Sequence, residues 1–325
     1  MSRYLVTGGA GFIGSNIVEE LLRRGEKVRV LDNFLTGTKH NITLALENAA
    51  KSKGQAAIKK NFELVRGDIR NLDACKKASK GIEYVLHQAA LRSVPKSVEN
   101  PFLTNEINVL GTLNMLMAAK EARVRRFVYA SSSSVYGDVS SFPQKESMPA
   151  KPISPYGVSK LAGENYAVAF AKTLGLETVS LRYFNVFGPR QNPESKYSAV
   201  IPALLSRILK NKPPVVEWDG RQSRDFTYVA NVVEANIKAA RAKGISGEVI
   251  NVACGSTISI LEILKSLDKI LGKTPKPLYA QKRPGDVRKT YADISKLRRL
   301  LWINKLVEFE KGLRSTVQWF MGGIV

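Results

Sequence analysis

The stretch Thr7-Gly8-Gly9-Ala10-Gly11-Phe12-Ile13-Gly14 decides the fold of this chain, because it joins a short apolar run, Tyr4-Leu5-Val6, to a helical pattern that begins at Gly14. Glycines in such a turn allow a tight bend, let backbone N–H groups approach a pyrophosphate, and let the helix pack closely on the strand. The stretch therefore predicts the first strand, turn and helix of a nucleotide-binding α/β unit.

The residues that follow strengthen this prediction. Apolar residues recur at helical spacing, at Ile17, Val18, Leu21 and Leu22, and Gly25 can end the helix. A second strand then ends at Asp32, about twenty residues after the glycines, where a carboxylate can accept hydrogen bonds from an adenosine ribose and repel an NADP 2′-phosphate. NAD is therefore the predicted cofactor, and an ordinary βαβ unit with a surface aspartate is the alternative.

The composition is that of a globular protein with a strongly basic balance. The chain has 325 residues and a formal net charge of +22, and it is long enough for one large α/β domain or two smaller ones. Its basic residues are spread along the chain, without the interleaved aromatic residues of a nucleic-acid groove. We therefore expect a solvated basic surface that attracts anionic metabolites, and no nucleic-acid partner.

The sequence also sets expectations about location and metals. No apolar run approaches the ~18 residues of a membrane span, and Met1-Ser2-Arg3 leads directly into the first strand without a signal peptide. We therefore expect a cytoplasmic protein with no membrane partner. Cys75 and Cys254 are far apart, and His40 and His87 lack partners at ligand spacing, so no metal site is predicted.

Strands and helices alternate along the chain. Predicted strands cover residues 62–65, 84–87, 127–130, 178–182 and 248–252, and predicted helices cover residues 41–50, 71–79, 102–122, 156–173, 231–242 and 259–271, with a basic loop after residue 50. Strands that are apolar on both faces predict an α/β fold with a doubly wound parallel (Rossmann) sheet. The predicted domains are an NAD-binding domain over residues 1–183, with a returning part at about 229–253, and a smaller α/β substrate-binding lobe over residues 184–325.

Tyr156 and Lys160 are the predicted centre of the chemistry. Ser154-Pro155 supplies an N-cap and a first-turn proline, so Tyr156 is expected on the first turn of a helix, with Lys160 on the same face four residues later. A free phenol has a pKa near 10, so a neighbouring ammonium and a positively charged nicotinamide are needed to make it a base at neutral pH. This spacing is common on helix surfaces, but the serine-bearing strand end at residues 131–134 favours a general base here.

Together these features resemble the extended short-chain dehydrogenases/reductases, and most closely the UDP-glucose (UDP-galactose) 4-epimerase family, with features of its UDP-N-acetylglucosamine 4-epimerase branch. The resemblance covers nearly the whole chain. Its elements are the glycine turn at residues 7–14, Leu31-Asp32-Asn33-Phe34, Gly67-Asp68-Ile69, Asn108-Val109-Leu110-Gly111-Thr112, the serine run through Val135-Tyr136-Gly137, Tyr156 to Lys160, Arg182 to Pro189, Arg224-Asp225-Phe226 and Arg283-Pro284-Gly285-Asp286.

The resemblance implies a reaction and an NAD site. Tyr156 is implied to remove the proton of the sugar C4 hydroxyl with help from Ser132, while hydride passes to NAD. The 4-keto sugar then rotates about its pyrophosphate and takes hydride back on its other face. Lys160 is implied to bond the nicotinamide ribose and to lower the pKa of Tyr156. The residues that the resemblance implies for NAD binding are Gly8, Gly11, Phe12, Ile13, Gly14, Asp32, Asn33, Phe34, Thr36, Gly37, Asp68, Ile69, Gln88, Ala89, Ala90, Asn108, Tyr156, Lys160 and Tyr183.

It also implies a UDP-sugar site. The implied substrate-binding residues are Arg92, Ser132, Ser133, Asn185, Val200, Arg224, Arg283, Asp286 and Thr290. The planar forks of Arg224 and Arg283 suit a diphosphate, with surface salt bridges as the alternative. Two further assignments stay open: Asp68 can bond adenine or cap the helix at 71–79, and Asn185 can hold a substrate oxygen or form a turn.

The choice of sugar depends on two positions. In the family, the residue at Thr290 lies near the sugar C2, where a small side chain admits an N-acetyl group, so UDP-N-acetylglucosamine is expected beside UDP-glucose. Arg92 stands where the N-acetyl branch has a small residue and can instead favour a uronate carboxylate. Serines replace the Thr-Asp-Glu of sugar-nucleotide dehydratases, so elimination of water is not expected.

The sequence also predicts an assembly and leaves alternative functions open. Relatives pair through two helices per subunit, so we expect a homodimer through the helices at 102–122 and 156–173, whose apolar residues include Leu113, Leu116, Ala167 and Phe170. The alternative is that these residues only face the sheet. A UDP-uronate 4-epimerase, a related nucleotide-sugar reductase and a non-enzymatic NAD-sensing regulator remain the alternative functions.

Overall fold

The fold is known from a computed structural model, which describes residues 1–193, 199–272, 275–282 and 287–322. Its main sheet has seven parallel strands in the order β11-β6-β5-β4-β1-β2-β3. These strands are β1 (Arg3–Thr7), β2 (Lys27–Asp32), β3 (Phe62–Arg66), β4 (Tyr84–His87), β5 (Arg126–Ser132), β6 (Thr178–Tyr183) and β11 (Glu248–Val252). The strand order reverses between β1 and β4, which is where a doubly wound sheet binds its ligand. The predicted fold class is confirmed.

Helices cover both faces of this sheet. The α-helices within the described ranges are α1 (Phe12–Arg23), α2 (Lys39–Lys53), α3 (Gln55–Asn61), α4 (Leu72–Ser79), α5 (Val94–Glu99), α6 (Pro101–Asn105), α7 (Gly111–Glu121), α8 (Pro155–Thr173), α9 (Val200–Leu209), α10 (Val229–Arg241), α11 (Ile260–Leu271), α12 (Ser295–Leu301) and α13 (Phe309–Gly322). One apolar core includes residues of α1, α2, α10 and α12, and a second, on the other face, includes residues of α4, α7 and α8. Buried strands between two helical layers explain the continuous apolar runs in the sequence.

The catalytic helix α8 begins as predicted. The Ser154 side chain accepts a hydrogen bond from the Gly157 N–H, and Pro155 occupies the first turn. Helix α1 begins at Phe12, two residues before the predicted start, because its N-cap is Gly11.

Three predictions about helices are wrong in detail. The predicted basic loop after residue 50 forms helix α3, whose Ile58 is buried against the core. Helix α4 is capped by Asn71, whose side chain accepts from the Ala74 N–H, and not by Asp68. The long helix predicted at 102–122 is interrupted by one π-helical turn, Glu106–Leu110, between α6 and α7.

The apolar residues predicted for a dimer interface lie in the core. Leu116, Ala167 and Phe170 are buried between the helices and the sheet, and Leu113 packs against the same cluster. The alternative, that these residues face the sheet, is therefore correct. A dimer interface on these helices would have to use side chains that are not part of this core.

The second half of the chain returns to the sheet and also builds its own core. Strand β11 pairs with β6 and extends the sheet. Short strands form three two-stranded pairs: β7 (Val186–Phe187) with β10 (Thr227–Tyr228), β8 (Val215–Glu217) with β13 (Leu278–Ala280), and β9 (Ser223–Arg224) with β12 (Ile258–Ser259). A third apolar cluster joins α9, α11 and α13. The exact domain boundaries stay a prediction. Within the described ranges, no helix is long and apolar enough to cross a membrane.

Candidate active site at the carboxyl ends of the strands

The glycine turn lies between β1 and α1, where its backbone packs closely against neighbouring segments. Gly8 has a φ of +66°, and a Cβ there would lie 2.7 Å from the Ala89 backbone nitrogen. A Cβ on Gly14 would overlap the Gly8 carbonyl oxygen and approach the Gly9 Cα to 2.8 Å. Side chains are therefore excluded from both positions, and the first turn of α1, which includes Phe12 and Ile13, presents its N–H groups at the crevice.

Asp32 lies at the end of β2 and faces this turn. Its carboxylate accepts from the Ala10 N–H (2.8 Å) and the Phe34 N–H (2.7 Å), which leaves lone pairs on both oxygens for further donors. Burial raises the pKa of Asp32, and these two backbone donors act in the opposite direction. In the segment that follows, Thr36 is exposed and Gly37 packs on the Ala10 backbone.

Asp68 and Asn33 lie side by side at the next strand end. The Asn33 amide donates to the Asp68 carboxylate (2.8 Å), and Arg70 forms an ion pair with the same carboxylate at 2.8 Å. Hydrogen bonding from Arg70 lowers the pKa of Asp68 to about 2. Ile69 is buried beside them. Asp68 is therefore an ionised acceptor at the cleft edge, and its contact with adenine stays a prediction.

Gln88 and Tyr183 lie on neighbouring segments and share one partner that the sequence did not indicate. The Tyr183 hydroxyl lies 3.1 Å from the Gln88 Oε1, the Gln88 amide donates to Asn236 Oδ1 (2.9 Å), and the Asn236 amide donates to the Tyr183 hydroxyl (2.8 Å). Ala89, beside this triad, donates its N–H to the Thr7 hydroxyl (3.2 Å). The triad ties the segment after β4 to the end of β6 and to α10.

Asn108 holds the loop after β4. Its side chain accepts from the Leu91 N–H (2.7 Å) and donates to the Leu91 carbonyl (3.1 Å) and to the Ser159 hydroxyl (3.0 Å). The loop that contains Ala90 and Arg92 is thus tied to α8. Asn108 is 1% exposed, and its role in NAD binding stays a prediction.

Tyr156, Ser132 and Lys160 meet where β5 ends and α8 begins. The Tyr156 N–H donates to the Ser97 hydroxyl (3.0 Å), which fixes the first turn of α8 against α5. Burial raises the pKa of Tyr156, while hydrogen bonding to Ser132 and the charge of Arg92 lower it. Ser133 follows Ser132 in a short 3₁₀ turn. The structure therefore brings together the tyrosine and serine that the sequence assigned to proton transfer.

Lys160 is buried beside the Tyr129 ring, with its Nζ 4.9 Å from the ring centroid. Burial lowers the pKa of Lys160 to about 7. The charge of Arg92 lowers the pKa of Tyr156, while burial disfavours the charged form of Lys160. The effect of Lys160 and a bound nicotinamide on the Tyr156 pKa stays a prediction. Burial lowers the pKa of Arg92, and among the described residues the charge of the Tyr156 phenolate acts in the opposite direction.

The predicted sugar side is built around Asn185 and Thr290. The Asn185 amide donates to the Asp225 carbonyl (3.1 Å) and to the Thr290 hydroxyl (3.1 Å). Asp225, which is fully buried, accepts N–H groups from Cys254 (2.8 Å) and Gly255 (3.0 Å). Burial raises the pKa of Asp225 to about 6. Asn185 thus holds the wall of the cleft in addition to any substrate contact.

The remaining predicted substrate residues lie near this wall or outside the described ranges. Arg224 donates to the Ser223 carbonyl (2.8 Å) and the Val287 carbonyl (2.6 Å), which places it beside the 287–290 segment. Val200 begins α9 and packs on the third core. Arg283 and Asp286 lie outside the described residues, so their contact with the diphosphate stays a prediction.

Other residues that position this site were not predicted from the sequence. His87 is fully enclosed, with Nδ1 2.8 Å from the Thr7 hydroxyl and Nε2 3.1 Å from the Thr112 hydroxyl. Burial lowers the pKa of His87 to about 3, so the ring is neutral. Its position at the end of a predicted strand was the available signal, but nothing in the sequence indicated that the ring contacts Thr7 and Thr112.

These features fit NAD. The glycine turn leaves a cradle that side chains would fill, and Asp32 offers acceptors to a ribose. Tyr156 and Lys160 lie on the first two turns of α8, next to the end of β5. Among the residues that the structure describes, no group of three or more His, Cys, Asp or Glu side chains could hold a metal ion.

Comparison with known proteins agrees with this geometry. The model of the "NAD dependent epimerase/dehydratase family" matches residues 4–253. A putative UDP-glucose 4-epimerase of Methanocaldococcus jannaschii is 38% identical over 317 residues, covering 97% of each chain. A UDP-glucuronate 4-epimerase of Thermodesulfobacterium geofontis is 35% identical, covering 98% of this chain and 96% of the relative.

Solved structures are equally similar over their full length. The UDP-N-acetylglucosamine 4-epimerase of Methanobrevibacter ruminantium, in complex with UDP-N-acetylmuramic acid, superposes with a TM-score of 0.91 at 38% identity and 99% coverage of both chains. The UDP-glucose 4-epimerase of Thermus thermophilus, in complex with NAD, gives a TM-score of 0.86 at 37% identity, covering 98% of this chain and 99% of that one. The chain therefore belongs to the NAD-dependent epimerase/dehydratase family, and epimerases of UDP-sugars are among its full-length relatives.

Proposed function

We propose that this protein is an NAD-dependent UDP-sugar 4-epimerase that interconverts UDP-glucose and UDP-galactose, and also UDP-N-acetylglucosamine and UDP-N-acetylgalactosamine. The observation that carries the proposal is the contact between Ser132 and Tyr156, on a helix that also carries the buried Lys160 four residues later. Epimerases of these sugars among the relatives support it.

In this proposal the chain's own residues handle the proton. Tyr156 accepts the proton of the sugar C4 hydroxyl, and Ser132 hydrogen-bonds to the same oxygen. NAD, when bound here, would supply a reversible hydride acceptor for the sugar C4, so that interconversion would make no net NADH. Arg92 stabilises the Tyr156 phenolate, and Lys160 holds the nicotinamide ribose. Arg224 and Arg283 hold the diphosphate by charge-assisted hydrogen bonds.

Substitution of Tyr156 tests this reaction. We expect Tyr156→Phe to lower kcat for interconversion of UDP-glucose and UDP-galactose by about 10²- to 10⁴-fold, the contribution typical of a general base. Tyr166→Phe is the matched control, because Tyr166 is an exposed residue of the same helix. Wild-type turnover by Tyr156→Phe would contradict the proposal. Absorbance at 340 nm separates the alternatives, since a reductase consumes NADH stoichiometrically and an epimerase does not.

Arg92 favours UDP-uronate 4-epimerisation as the second candidate function. Among the described residues, Arg92 has no carboxylate partner, and its charge acts on Tyr156, next to which the sugar would bind. A uronate carboxylate is a matching anion for this guanidinium. A UDP-glucuronate 4-epimerase among the relatives supports this candidate. A kcat/KM for UDP-glucuronate above that for UDP-glucose, lost in Arg92→Gln, would establish it.

We further propose that the protein is a cytoplasmic homodimer formed through α6 to α8. Phe102 is 83% exposed, and Leu110, Met117 and Val158 are also exposed on these helices. Beside Phe102 lies an open groove of about 610 Å³, lined partly by Ile153 and Val158. Apolar side chains that are exposed on a helix, and not packed in the core, are typical of a helix-pair interface.

A further inference from the structure

The Glu164 carboxylate collects three hydrogen bonds beneath the site. It accepts from the Ser131 hydroxyl (2.7 Å), from the Arg182 Nε (3.0 Å) and from the Arg182 Nη2 (2.6 Å). The side chains of Arg182 and Glu164 are 5% and 4% exposed. The bidentate pair and the serine thus give this buried carboxylate a hydrogen-bond donor at each oxygen.

Each member of this cluster lies next to a predicted active-site residue. Ser131 directly precedes Ser132 at the end of β5, and Arg182 directly precedes Tyr183 at the end of β6. Glu164 lies one helical turn after Lys160 on α8. The three hydrogen bonds therefore connect the ends of two strands to the helix that carries Tyr156.

Other contacts fix the arginine from its far side. The Arg182 guanidinium lies 4.6 Å from the centre of the Tyr136 ring, and the Tyr136 hydroxyl donates to Asn251 Oδ1 (2.7 Å). The Asn251 amide in turn donates to the Gln144 carbonyl (3.0 Å) and the Asp293 carbonyl (3.2 Å). A guanidinium held in this way leaves Glu164 little freedom to move.

Stability alone does not account for such a cluster. The cost of removing two charges from water offsets much of their attraction, and apolar replacements of a buried ion pair are often neutral or stabilising. Hydrogen bonds are directional, so this cluster also sets how the ends of β5 and β6 lie relative to α8. The cluster is therefore best explained by the geometry that it imposes.

We propose that Glu164, with Arg182 and Ser131, is a positioning cluster that sets the distance between Ser132 and Tyr156. Its catalytic consequence rests on the proposed function, but the positioning itself does not. Without Glu164, Ser131 at the end of β5 loses its hydrogen bond to α8, and the bond from the Tyr129 hydroxyl to the Lys160 carbonyl (3.3 Å) remains. The Ser132 contact with Tyr156 then lengthens. Misplacement of reacting groups by about 1 Å can cost about a hundredfold in rate.

Glu164→Gln tests the cluster, since it keeps the shape of the side chain and removes the charge and one acceptor. We expect kcat to fall about 10- to 100-fold while KM for the UDP-sugar changes by less than about threefold. The acidic limb of the kcat profile is expected to move to higher pH, because Ser132 no longer lowers the Tyr156 pKa. Arg126→Met is the matched control: it breaks the Arg126–Glu177 ion pair at the opposite end of β5, and kcat should stay within about twofold.

A titration keeps this test independent of turnover. Phenolate absorbance at 295 nm, measured on the NAD-bound protein with Tyr156→Phe subtracted, reports the Tyr156 pKa directly, and Glu164→Gln should raise it. A shifted titration in a protein without epimerase activity would contradict the proposed function and support the cluster. An unshifted titration together with wild-type kcat would overturn the cluster. If Glu164→Gln does not fold, Glu164→Leu/Arg182→Leu removes both charges, and full kcat in that variant would overturn the proposal equally.

Discussion

The cofactor side and the sugar side of the cleft are built in different ways. On the cofactor side, a continuous turn of a few residues makes the cradle, and backbone atoms of Gly8 and Gly14 lie against backbone atoms of Ala89 and Gly9. On the sugar side, Asn185, Asp225 and Thr290 come from distant parts of the chain and meet through side-chain hydrogen bonds.

The difference decides how each side can change. A backbone cradle tolerates no added atoms, because a Cβ cannot be accommodated without moving the chain. A wall of side chains can exchange one residue for another at a modest cost, which is how related enzymes with one fold accept different sugars. We therefore expect substitutions on the cofactor side to abolish function and those on the sugar side to redirect it.

Gly14→Ala should break the cofactor side completely. The new Cβ would overlap the Gly8 carbonyl oxygen, so the turn must open. We expect the free energy of unfolding to fall by about 3 kcal/mol, the upper part of the usual overpacking range, with most of the bound NAD lost. Thermal unfolding and the NAD content of the purified protein measure the two effects.

Gly11→Ala is the comparison variant within the same turn. A Cβ there meets only the Gly8 carbonyl oxygen, at 3.2 Å, so the fold should be retained. If Gly14→Ala kept both its NAD and its unfolding temperature, the backbone cradle would not be the determinant that we describe.

Arg92→Gln tests the boundary between the two sides. The positive charge of Arg92 lowers the pKa of Tyr156, so its removal should raise that pKa and move the acidic limb of the kcat profile to higher pH by about one unit. At neutral pH this corresponds to roughly a tenfold lower rate. Arg92→Lys keeps the charge and should return the acidic limb of the kcat profile to near its wild-type pH. An unchanged pH profile in Arg92→Gln would remove Arg92 from the proton chemistry.

Much of the cofactor side could be predicted because its determinants are local. The turn, the Asp32 strand end and the Ser154 cap are each encoded within a few residues, and the structure has them as predicted. The start of α1 was misplaced by two residues because Gly11, a residue without a capping side chain, serves as its N-cap.

The sugar side could not be predicted in the same way, because its contacts join residues far apart in sequence. Nothing near Asn185 indicates that its amide reaches Thr290, 105 residues later. Nor does the spacing of Tyr156 and Lys160 reveal that burial lowers the lysine pKa to about 7, or that the charge of Arg92 lowers the pKa of Tyr156. Periodicity predicted apolar stripes on α7 and α8, but it could not distinguish the stripe that faces the core from the one that faces outward.

Thr290→Tyr should redirect the sugar side. A tyrosine fills the space near the sugar C2 and should lower kcat/KM for the N-acetylated pair by about tenfold, within the ~1–3 kcal/mol typical of a pocket contact, with UDP-glucose affected less. Thr290→Val is the control, because it removes the hydroxyl that accepts from Asn185 without adding bulk. Equal losses of kcat/KM for all four UDP-sugars would show that Thr290 does not select between N-acetylated and plain hexoses.

Phe102→Asp should affect neither side of the cleft, and it therefore tests whether one subunit contains the whole site. Phe102 lies on α6 with 83% of its surface exposed, and an aspartate there would place a charge in the proposed interface. We expect light scattering at micromolar concentration to show a monomer, with kcat per subunit within about twofold of wild type, because every predicted site residue belongs to the same chain. Lys53→Asp, a charge change at an exposed residue at the end of α2 and outside the proposed interface, is the matched control and should stay dimeric. A monomeric wild type would remove the dimer proposal, whereas a monomeric variant with little activity would mean that the partner subunit supports the loop of Arg92 or the first turn of α8.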